Sequence, residues 1–193
     1  MTYNFARGEW SMEGLTYAYS YRFSETPVFE QEDDCIVNRK NPLQEQGFDN
    51  ITLLTKEKCL PGTKITTVCS FDRFGAPLIT IAESLTLDEN GKMRYGDYLE
   101  VVVYKNGVNV WRMYFKDGKV TWDCLLCVEF SLEEMKKHTL SAQILKNKLV
   151  ICANERKMIL HIENMYPSFH VGVNACEEIN RFYSMEIREG NEE

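Results

Sequence analysis

The sequence has no long apolar run and no segment rich in basic residues. Nothing in its 193 residues approaches the roughly 20 consecutive apolar residues of a membrane-spanning helix. The N-terminal segment carries Arg7, Glu9 and Glu13 and has no apolar stretch of signal-peptide length, so we expect a cytoplasmic protein. The 22 Lys and Arg residues are outnumbered by 29 Asp and Glu residues, which gives a net charge of −7. Nucleic acids and anionic membranes both bind basic surfaces, so we expect neither as a partner.

Common signatures of catalytic and metal sites are also missing. The chain has no nucleophile elbow, phosphate-binding loop or dinucleotide-binding fingerprint. The stretch Asp88-Glu-Asn-Gly91 resembles the start of a calcium loop, but the twelfth position, which needs Glu, is Leu99, so we predict a turn. The histidines are too widely spaced for a recognisable metal site, at His138, His161 and His170. We therefore expect no metal and no cofactor.

The seven cysteines form no disulfide or zinc pattern. Their number is odd and most lie in apolar surroundings, as in Val68-Cys69 and Ile151-Cys152, which is typical of buried free thiols in a reducing compartment. Metal or redox spacing occurs in Cys124-Leu-Leu-Cys127, without the second pair or the βαβ context that such sites require. Residues three apart on a regular strand point to opposite faces. We therefore predict a structural role for this pair.

What the chain does contain is a succession of short β-like segments. Aromatic residues make up 12% of it, which favours pleated sheets, and its length suits a single domain over residues 1–193. A capping box at Ser131-Leu-Glu-Glu134 predicts one short helix that ends at His138, and Glu25–Gln46 is predicted to be an extended loop that holds one strand at most. Alternation between turn residues predicts these strands: Leu15–Phe23, Ile51–Thr55, Lys64–Phe71, Leu78–Leu87, Tyr98–Lys105, Val108–Lys116, Lys119–Phe130, Thr139–Leu145, Leu149–Ala153, Met158–Ile162, His170–Asn174 and Tyr183–Arg188.

Two turn dipeptides, Asn106-Gly107 and Asp117-Gly118, predict an antiparallel meander over Tyr98–Phe130. If each loop has two residues, the pairs are Lys105 with Val108, Lys116 with Lys119 and Arg112 with Asp123. Because side chains alternate along a strand, one face of the meander receives Tyr98, Glu100, Val102, Tyr104, Asn109, Trp111, Met113, Phe115, Val120 and Trp122. We call this the aromatic face. The opposite face is mostly aliphatic and is predicted to be core.

A dozen short antiparallel strands predict a sandwich or a closed barrel. The strand order after the predicted helix decides between them: it runs through His138-Thr-Leu-Ser-Ala-Gln-Ile-Leu, Asn147-Lys-Leu-Val-Ile-Cys, Met158-Ile-Leu-His-Ile, His170-Val-Gly-Val-Asn and Arg181-Phe-Tyr-Ser-Met-Glu-Ile. This order resembles the C-terminal half of the concanavalin A-like lectin/glucanase jelly roll. The resemblance implies a small bacterial-type member with an all-β, two-sheet antiparallel sandwich and one short helix. It also implies that the last strand returns beside the first.

The aromatic face suggests a carbohydrate-binding function. Flat aromatic rings pack on the C–H faces of sugars, and Glu, Asn or Arg side chains hydrogen-bond their hydroxyls. In the resembled fold, glycans lie across a concave sheet. We therefore predict a lectin-like domain with a carbohydrate as partner; core packing between the two sheets is the alternative for the same aromatics. The predicted ligand-binding residues are Tyr98, Tyr104, Asn109, Trp111, Trp122, His170 and Arg181.

Two other functions stay open. The first is a glycoside hydrolase or lyase, although the resembled glucanases carry a Glu-x-Asp-x-x-Glu strand that this chain lacks. Asp97 and Glu100 fall on opposite faces, so catalysis by Glu100 needs a loop acid such as Glu177 or Glu178. The second is a structural role in which the aromatic face is the interface of a homo-oligomer, because aromatic residues and Met are enriched at interfaces.

Overall fold

The computed structural model describes residues 1–22, 26–39, 50–117 and 119–190. All regular secondary structure in these ranges is β-strand, which confirms the predicted all-β class. No helix in them is long and apolar enough to cross a membrane. The strands are β1 (Thr2–Asn4), β2 (Leu15–Ser20), β3 (Glu30–Gln31), β4 (Ile36–Val37), β5 (Asn50–Thr55), β6 (Lys64–Phe71), β7 (Ala76–Ala82), β8 (Leu85–Leu87), β9 (Met93–Tyr95), β10 (Tyr98–Tyr104), β11 (Gly107–Lys116), β12 (Lys119–Glu129), β13 (His138–Leu145), β14 (Lys148–Ala153), β15 (Arg156–His161), β16 (His170–Cys176) and β17 (Asn180–Arg188).

The strands form two sheets that pack as a sandwich. An eight-stranded sheet has the order β15-β14-β13-β6-β17-β4-β3, with β1 paired to β17. A nine-stranded sheet has the order β12-β11-β10-β7-β16-β5-β2-β9-β8. One pair, β2 with β9, is parallel. The last strand lies beside the first, as the family resemblance implies. The predicted two-sheet antiparallel sandwich is therefore confirmed.

One hydrophobic cluster fills the space between the sheets. The eight-stranded sheet contributes Ile65, Leu140 and Phe182 among others. From β10 and β11 the cluster takes every second residue: Leu99, Val101, Val103, Val108 and Val110. The predicted aliphatic face is therefore the core face. Because side chains alternate along a strand, the aromatic face points away from the partner sheet, and the alternative of core packing between the sheets does not hold for it.

The short helix predicted from the capping box does not form. Residues 131–137 are an irregular segment with a turn, and His138 opens β13. The backbone N–H of Met135 donates to the carbonyl oxygen of Phe71 at 2.8 Å, and Met135 has a left-handed φ of 61°. His138 Nε2 donates to the carbonyl oxygen of Glu133 at 2.8 Å. These tertiary and side-chain hydrogen bonds replace the intrahelical ones, so context overrides the local capping signal.

Both hairpins of the meander form, with a small shift at the first turn. Lys116 lies opposite Lys119, as predicted. Tyr104 pairs with Gly107, so the two-residue loop begins one residue earlier than predicted. Gly107 has a φ of 139°, and a Cβ there would lie 2.0 Å from the carbonyl oxygen of Val128, so glycine is required. Moving the turn by one residue shifts the pairing by two, which leaves every side chain on its predicted face.

Several short strands were not predicted from the sequence. The segment predicted as an extended loop with at most one strand, Glu25–Gln46, contains two, β3 and β4, and its residues 25 and 40–46 lie outside the described residues. The strands β1 and β9 also lack a sequence signal, since three residues are too few to show alternation. All four strands pair because neighbouring strands supply hydrogen-bonding edges.

Candidate functional site

A cleft of about 690 Å³ lies on the aromatic face of the nine-stranded sheet. Its floor is built by β10 and β11, which place Glu100 opposite Trp111. Beyond β10 the floor continues through β7, which contributes Leu78. Six of the predicted site residues line this cleft together: Glu100, Tyr104, Asn109, Trp111, Trp122 and Glu177.

The two tryptophans give the cleft an apolar wall. Trp111 is half-buried and packs against two small apolar clusters that lie on this face, separate from the core. Trp122 on β12 is 54% exposed and pairs across the strands with Met113. Large aromatic surface that the sandwich does not use internally is therefore available to a ligand.

Glu100 lies at the centre of the floor. Only 5% of its surface is exposed, and its Oε1 has no hydrogen-bond partner among the described residues. Burial raises the pKa of this carboxyl to about 7, and the nearby charge of Arg22 opposes the shift. Near neutral pH the side chain therefore exists in both forms, and its protonated form can donate a hydrogen bond to a bound molecule.

Cationic side chains rest on aromatic rings around the cleft. The Arg22 guanidinium lies 5.6 Å from the centre of the Trp122 ring. The Lys105 ammonium lies 4.6 Å from the centre of the Phe74 ring. Arg73 is a further lining residue. Such contacts orient a cation without neutralising it. The cleft therefore combines three cations, Arg22, Arg73 and Lys105, with the two carboxyls of Glu100 and Glu177.

Glu177 supplies the second acid of the cleft. It follows β16 in a bend and has a left-handed φ of 68°, which directs the chain away from the sheet. Burial and then the neighbouring Glu178 raise the pKa of its carboxyl. Cys176, at the end of β16, also lines the cleft, and burial followed by the charge of Glu100 raises the pKa of its thiol. The two predicted catalytic acids, Glu100 and Glu177, thus share one cleft.

Three predicted site residues do not line the cleft. Tyr98 is buried on the aromatic face, where it pairs with the lining residue Met113 and its hydroxyl lies 3.1 Å from the Ser20 Oγ. His170 is buried at the start of β16, and its Nδ1 donates to the carbonyl oxygen of Thr55 at 2.9 Å. Arg181 lies on the eight-stranded sheet and forms a two-pronged ion pair with Asp72, at 2.8 and 3.3 Å. Tyr98 packs beside the lining residues Met113 and Trp111, whereas His170 and Arg181 are held elsewhere by partners of their own.

A buried polar network continues the floor towards β16 and β5. Asn174 Nδ2 donates to Asn50 Oδ1 at 3.1 Å and lies 3.3 Å from Thr80 Oγ1. The Tyr95 hydroxyl donates to the same Asn50 oxygen at 3.2 Å, and Thr52 joins both. Side chains held by several hydrogen bonds keep their positions, so the floor beside Glu100 is preorganised.

Sequence reasoning missed Arg22, Arg73, Phe74 and Lys105. Arg73 and Phe74 belong to the turn between β6 and β7, and Arg22 follows β2. Arg73 and Phe74 reach the cleft because β7 lies next to β10 in the sheet, and Lys105 lies in the turn that follows β10. For Arg22, Arg73 and Phe74, lining the cleft therefore depends on how the strands are arranged in the sheet, which local sequence patterns do not reveal.

No protein-family model matches the chain, and no curated protein matches its sequence. Its fold is nevertheless similar to that of several solved structures. The carbohydrate-binding module CBM66 from Bacillus subtilis is 12% identical, with a TM-score of 0.65 over 91% of this chain and 96% of that one. A legume lectin-like domain from Entamoeba histolytica is 13% identical, with a TM-score of 0.60 over 99% and 97%. The β-agarase A of Zobellia galactanivorans is 8% identical, with a TM-score of 0.70 over 98% and 90%. These likenesses confirm the concanavalin A-like jelly roll as the fold.

Proposed function

We propose that the protein binds an oligosaccharide or glycoside in the cleft on its aromatic face. The observation that supports this most is that aromatic and polar side chains line one cleft outside the core. They are Trp111, Trp122, Tyr104, Glu100 and Asn109. Neighbours of the same fold include a carbohydrate-binding module and a lectin-like domain, which supports a related role.

The chemistry of the cleft suits a sugar. A pyranose presents an apolar C–H surface that packs on an indole ring, and a fringe of hydroxyls that need paired donors and acceptors. The Tyr104 hydroxyl donates to Asn109 Oδ1 at 3.5 Å, which leaves the Asn109 amide hydrogens directed to other acceptors. Glu100 accepts or donates according to its protonation state. The aromatic rings thus offer the contact area for affinity, and the polar side chains fix the orientation of the sugar.

The positive charges favour a sugar that bears carboxylate or sulfate groups. Arg73 and Lys105 stand at the rim, and Arg provides a planar fork that fits an oxyanion. We therefore expect an oligouronate to bind more tightly than its neutral counterpart of equal length, and added salt to weaken that difference. Equal affinity for the acidic and neutral members of such a pair would contradict this refinement.

Tryptophan fluorescence tests the binding proposal. The protein has three tryptophans, and Trp10 packs against Phe5 and the core rather than the cleft. A Trp10→Phe background therefore reports on Trp111 and Trp122 alone. Titration with a panel of neutral and acidic oligosaccharides is expected to give a saturable change for at least one of them.

Alanine variants in that background locate the ligand. Trp122→Ala removes an exposed ring and is expected to weaken binding about five- to tenfold, because an aromatic contact contributes on the order of 1 kcal/mol. Phe115→Ala removes another exposed ring of the aromatic face that does not line the cleft, and it is the matched control. If the Trp122 variant is folded and binds as its parent does, the ligand lies elsewhere. A variant that changes oligomeric state instead would favour an interface role for this face.

Glycoside hydrolysis is a second candidate, favoured by the raised pKa of Glu100 and the presence of Glu177 in the same cleft. A general acid must be protonated at the working pH, and a carboxyl with a pKa of about 7 satisfies this. Incubation with a sugar that binds is then expected to release new reducing ends, with activity lost as pH rises through 7. Glu100→Gln is expected to keep binding and lose at least about a hundredfold in turnover. Binding without turnover by the parent protein would leave the lectin-like function alone.

A further inference from the structure

The cleft on the aromatic face ends part-way along β11. Asn109, Trp111 and Met113 follow one another on this face of the strand, and all three line the cleft. Phe115 is the next residue on the same face, and it does not line the cleft. The lined stretch from Asn109 to Met113 spans only about 14 Å, so it holds a short piece of a chain-like ligand.

The segment after β2 closes the cleft beyond Met113. In a flat sheet of this strand order, β2 and β11 would lie five strand spacings apart, which is about 24 Å. Instead, the Tyr21 ring packs edge-to-face on Phe115, with 5.6 Å between the ring centres. The sheet therefore curls until the residue after β2 meets β11, and the two rings block this end of the cleft.

Tyr21 is held in place from the side of β8 and β9. Its hydroxyl lies 3.4 Å from Thr86 Oγ1 on β8. The Arg94 guanidinium of β9 lies 5.9 Å from the centre of the Tyr21 ring, and an ion pair with Asp88 at 2.9 Å fixes this guanidinium. Because Tyr21 has contacts on both sides, the closed end is part of the folded structure.

Arg22 extends the closure across the cleft. Its guanidinium lies 5.6 Å from the centre of the Trp122 ring on β12. The same side chain is hydrogen-bonded to Tyr98 and lies close to Glu100. Arg22 and Trp122 therefore bridge the segment after β2 and the last strand of the sheet, next to the closed end.

The opposite end of the cleft is open to solvent. It is lined by the turn between β6 and β7 and by the turn between β10 and β11. Arg73, Phe74 and Asn106 line it and are exposed, Phe74 by 60%. A ligand that enters the cleft from this end can continue outwards past these side chains into solvent.

We infer that the cleft binds the end of a carbohydrate chain rather than its middle. A sugar inside a chain carries glycosidic bonds on two sides and needs a groove with two exits, whereas a terminal sugar needs one. The terminal sugar lies between Trp111 and Trp122, where Glu100 accepts from or donates to its free hydroxyls. The rest of the chain leaves past Arg73. This inference rests on the proposed function and adds which part of the carbohydrate is bound.

A polysaccharide compared with its own partial hydrolysate at equal mass tests the inference. Cutting the mean chain length about tenfold multiplies the chain ends by the same factor, and binding follows the concentration of sites by mass action. The probes are polygalacturonate, alginate, amylose and laminarin, and the readout is tryptophan fluorescence of the Trp10→Phe protein. For a polymer that binds, the mass needed for half-saturation is expected to fall by the factor by which the chain was shortened.

Variants of Tyr21 test whether the closed end selects the chain end. Tyr21→Ala removes the ring that packs on Phe115, so chain interiors gain a second exit and the intact polymer is expected to bind nearly as well as its hydrolysate. Tyr21→Phe keeps the ring and loses only the contact with Thr86, so it is expected to behave like the parent. Ile159→Ala on β15 removes an exposed apolar side chain from the other sheet and is the matched control.

Each other outcome has a separate meaning. Equal half-saturating masses of polymer and hydrolysate for the parent would overturn chain-end recognition and leave carbohydrate binding in place. A folded Tyr21→Ala variant that keeps the full preference for the hydrolysate would also overturn the inference, because the closed end would then not be its cause. No fluorescence change with any polymer or hydrolysate would contradict the proposed function itself.

Discussion

At the residue scale, the central feature is a carboxyl group buried on the outer face of a sheet. Glu100 is 5% exposed and lacks a full set of partners, which is unfavourable for its ionised form. Its ordinary pKa of 4.5 rises to about 7, mainly through burial. The buried Glu100 carboxyl can therefore gain or lose its charge near neutral pH. Groups that do so are used both in ligand binding and in acid catalysis.

This burial predicts a pH-dependent stability. Because the folded-state pKa of Glu100 is raised, protonation of Glu100 stabilises the folded protein. This contribution to the free energy of unfolding is fully present below about pH 4.5 and is lost as pH rises through about 7. Glu100→Gln removes that loss. Relative to the parent, the free energy of unfolding of the variant is expected to increase by on the order of 3 kcal/mol between about pH 4 and pH 8. Urea denaturation at a series of pH values measures this difference.

The control is Glu129→Gln, which alters an exposed carboxyl on β12. It is expected to leave the pH dependence of the parent unchanged. If the free energy of unfolding of the parent and of Glu100→Gln changed with pH in the same way, Glu100 would be solvated and its pKa would not be raised.

At the scale of elements, the meander was the most predictable part. The turn dipeptides determine which residues face the core, and the pairing of Arg112 with Asp123 is observed. Leu125 is an extra residue on β12, because Trp111 pairs with Cys124 and Val110 with Leu126. Cys124 and Cys127 therefore share a face, and the prediction that they point to opposite faces is wrong. This bulge was not predictable, because an extra residue is visible only against the partner strand. The helix predicted at 131–138 failed for the opposite reason: its local signal is real, but backbone N–H groups of the segment donate to Phe71 at the end of β6 and to Lys105 in the first hairpin turn.

The first hairpin depends on one glycine. A Cβ at residue 107 meets the carbonyl oxygen of Val128, and the left-handed φ adds strain, so Gly107→Ala is expected to lower the free energy of unfolding by about 2–3 kcal/mol. Gly91→Ala is the matched control, since Gly91 also has a positive φ but nothing lies within 4 Å of an added Cβ. Denaturant titration is expected to rank Gly107→Ala clearly below Gly91→Ala; equal losses would mean that the contact with Val128 is relieved freely.

At the scale of the whole molecule, one core joins two sheets. The cluster between them draws on strands from both ends of the chain, so the sandwich is expected to unfold as a unit. Phe182 is fully buried and packs edge-to-face on Phe29. Phe182→Ala is therefore expected to lower the free energy of unfolding by about 3–5 kcal/mol.

Calorimetry checks this core prediction, with Leu87→Ala as the control because Leu87 is 66% exposed. Such surface changes typically alter stability by about 0.5 kcal/mol or less. Two separate transitions in the Phe182 variant, or a loss no larger than that of the control, would show that the sheets do not share one cooperative core.

The candidate site was predictable only where it follows the meander. The alternation along β10 and β11 assigned Glu100 and Trp111 to one face, and the structure puts both in the cleft. Arg181 was proposed from its chemistry alone, and it is held by Asp72 on the other sheet. Two cations of the cleft, Arg22 and Arg73, come from segments outside the meander. The position of Arg181 and the source of these cations both depend on how the strands are ordered across the sandwich, so local sequence patterns could not predict them.

The most direct test of the central claim is ¹⁹F NMR of protein labelled with 5-fluorotryptophan, titrated with the oligosaccharide panel. Single Trp→Phe variants assign the three signals. The account predicts that the resonances of Trp111 and Trp122 move saturably with one sugar, while that of Trp10, which packs on Phe5, stays in place. Three unmoved signals across the panel, or movement of Trp10 alone, would contradict carbohydrate binding on the aromatic face.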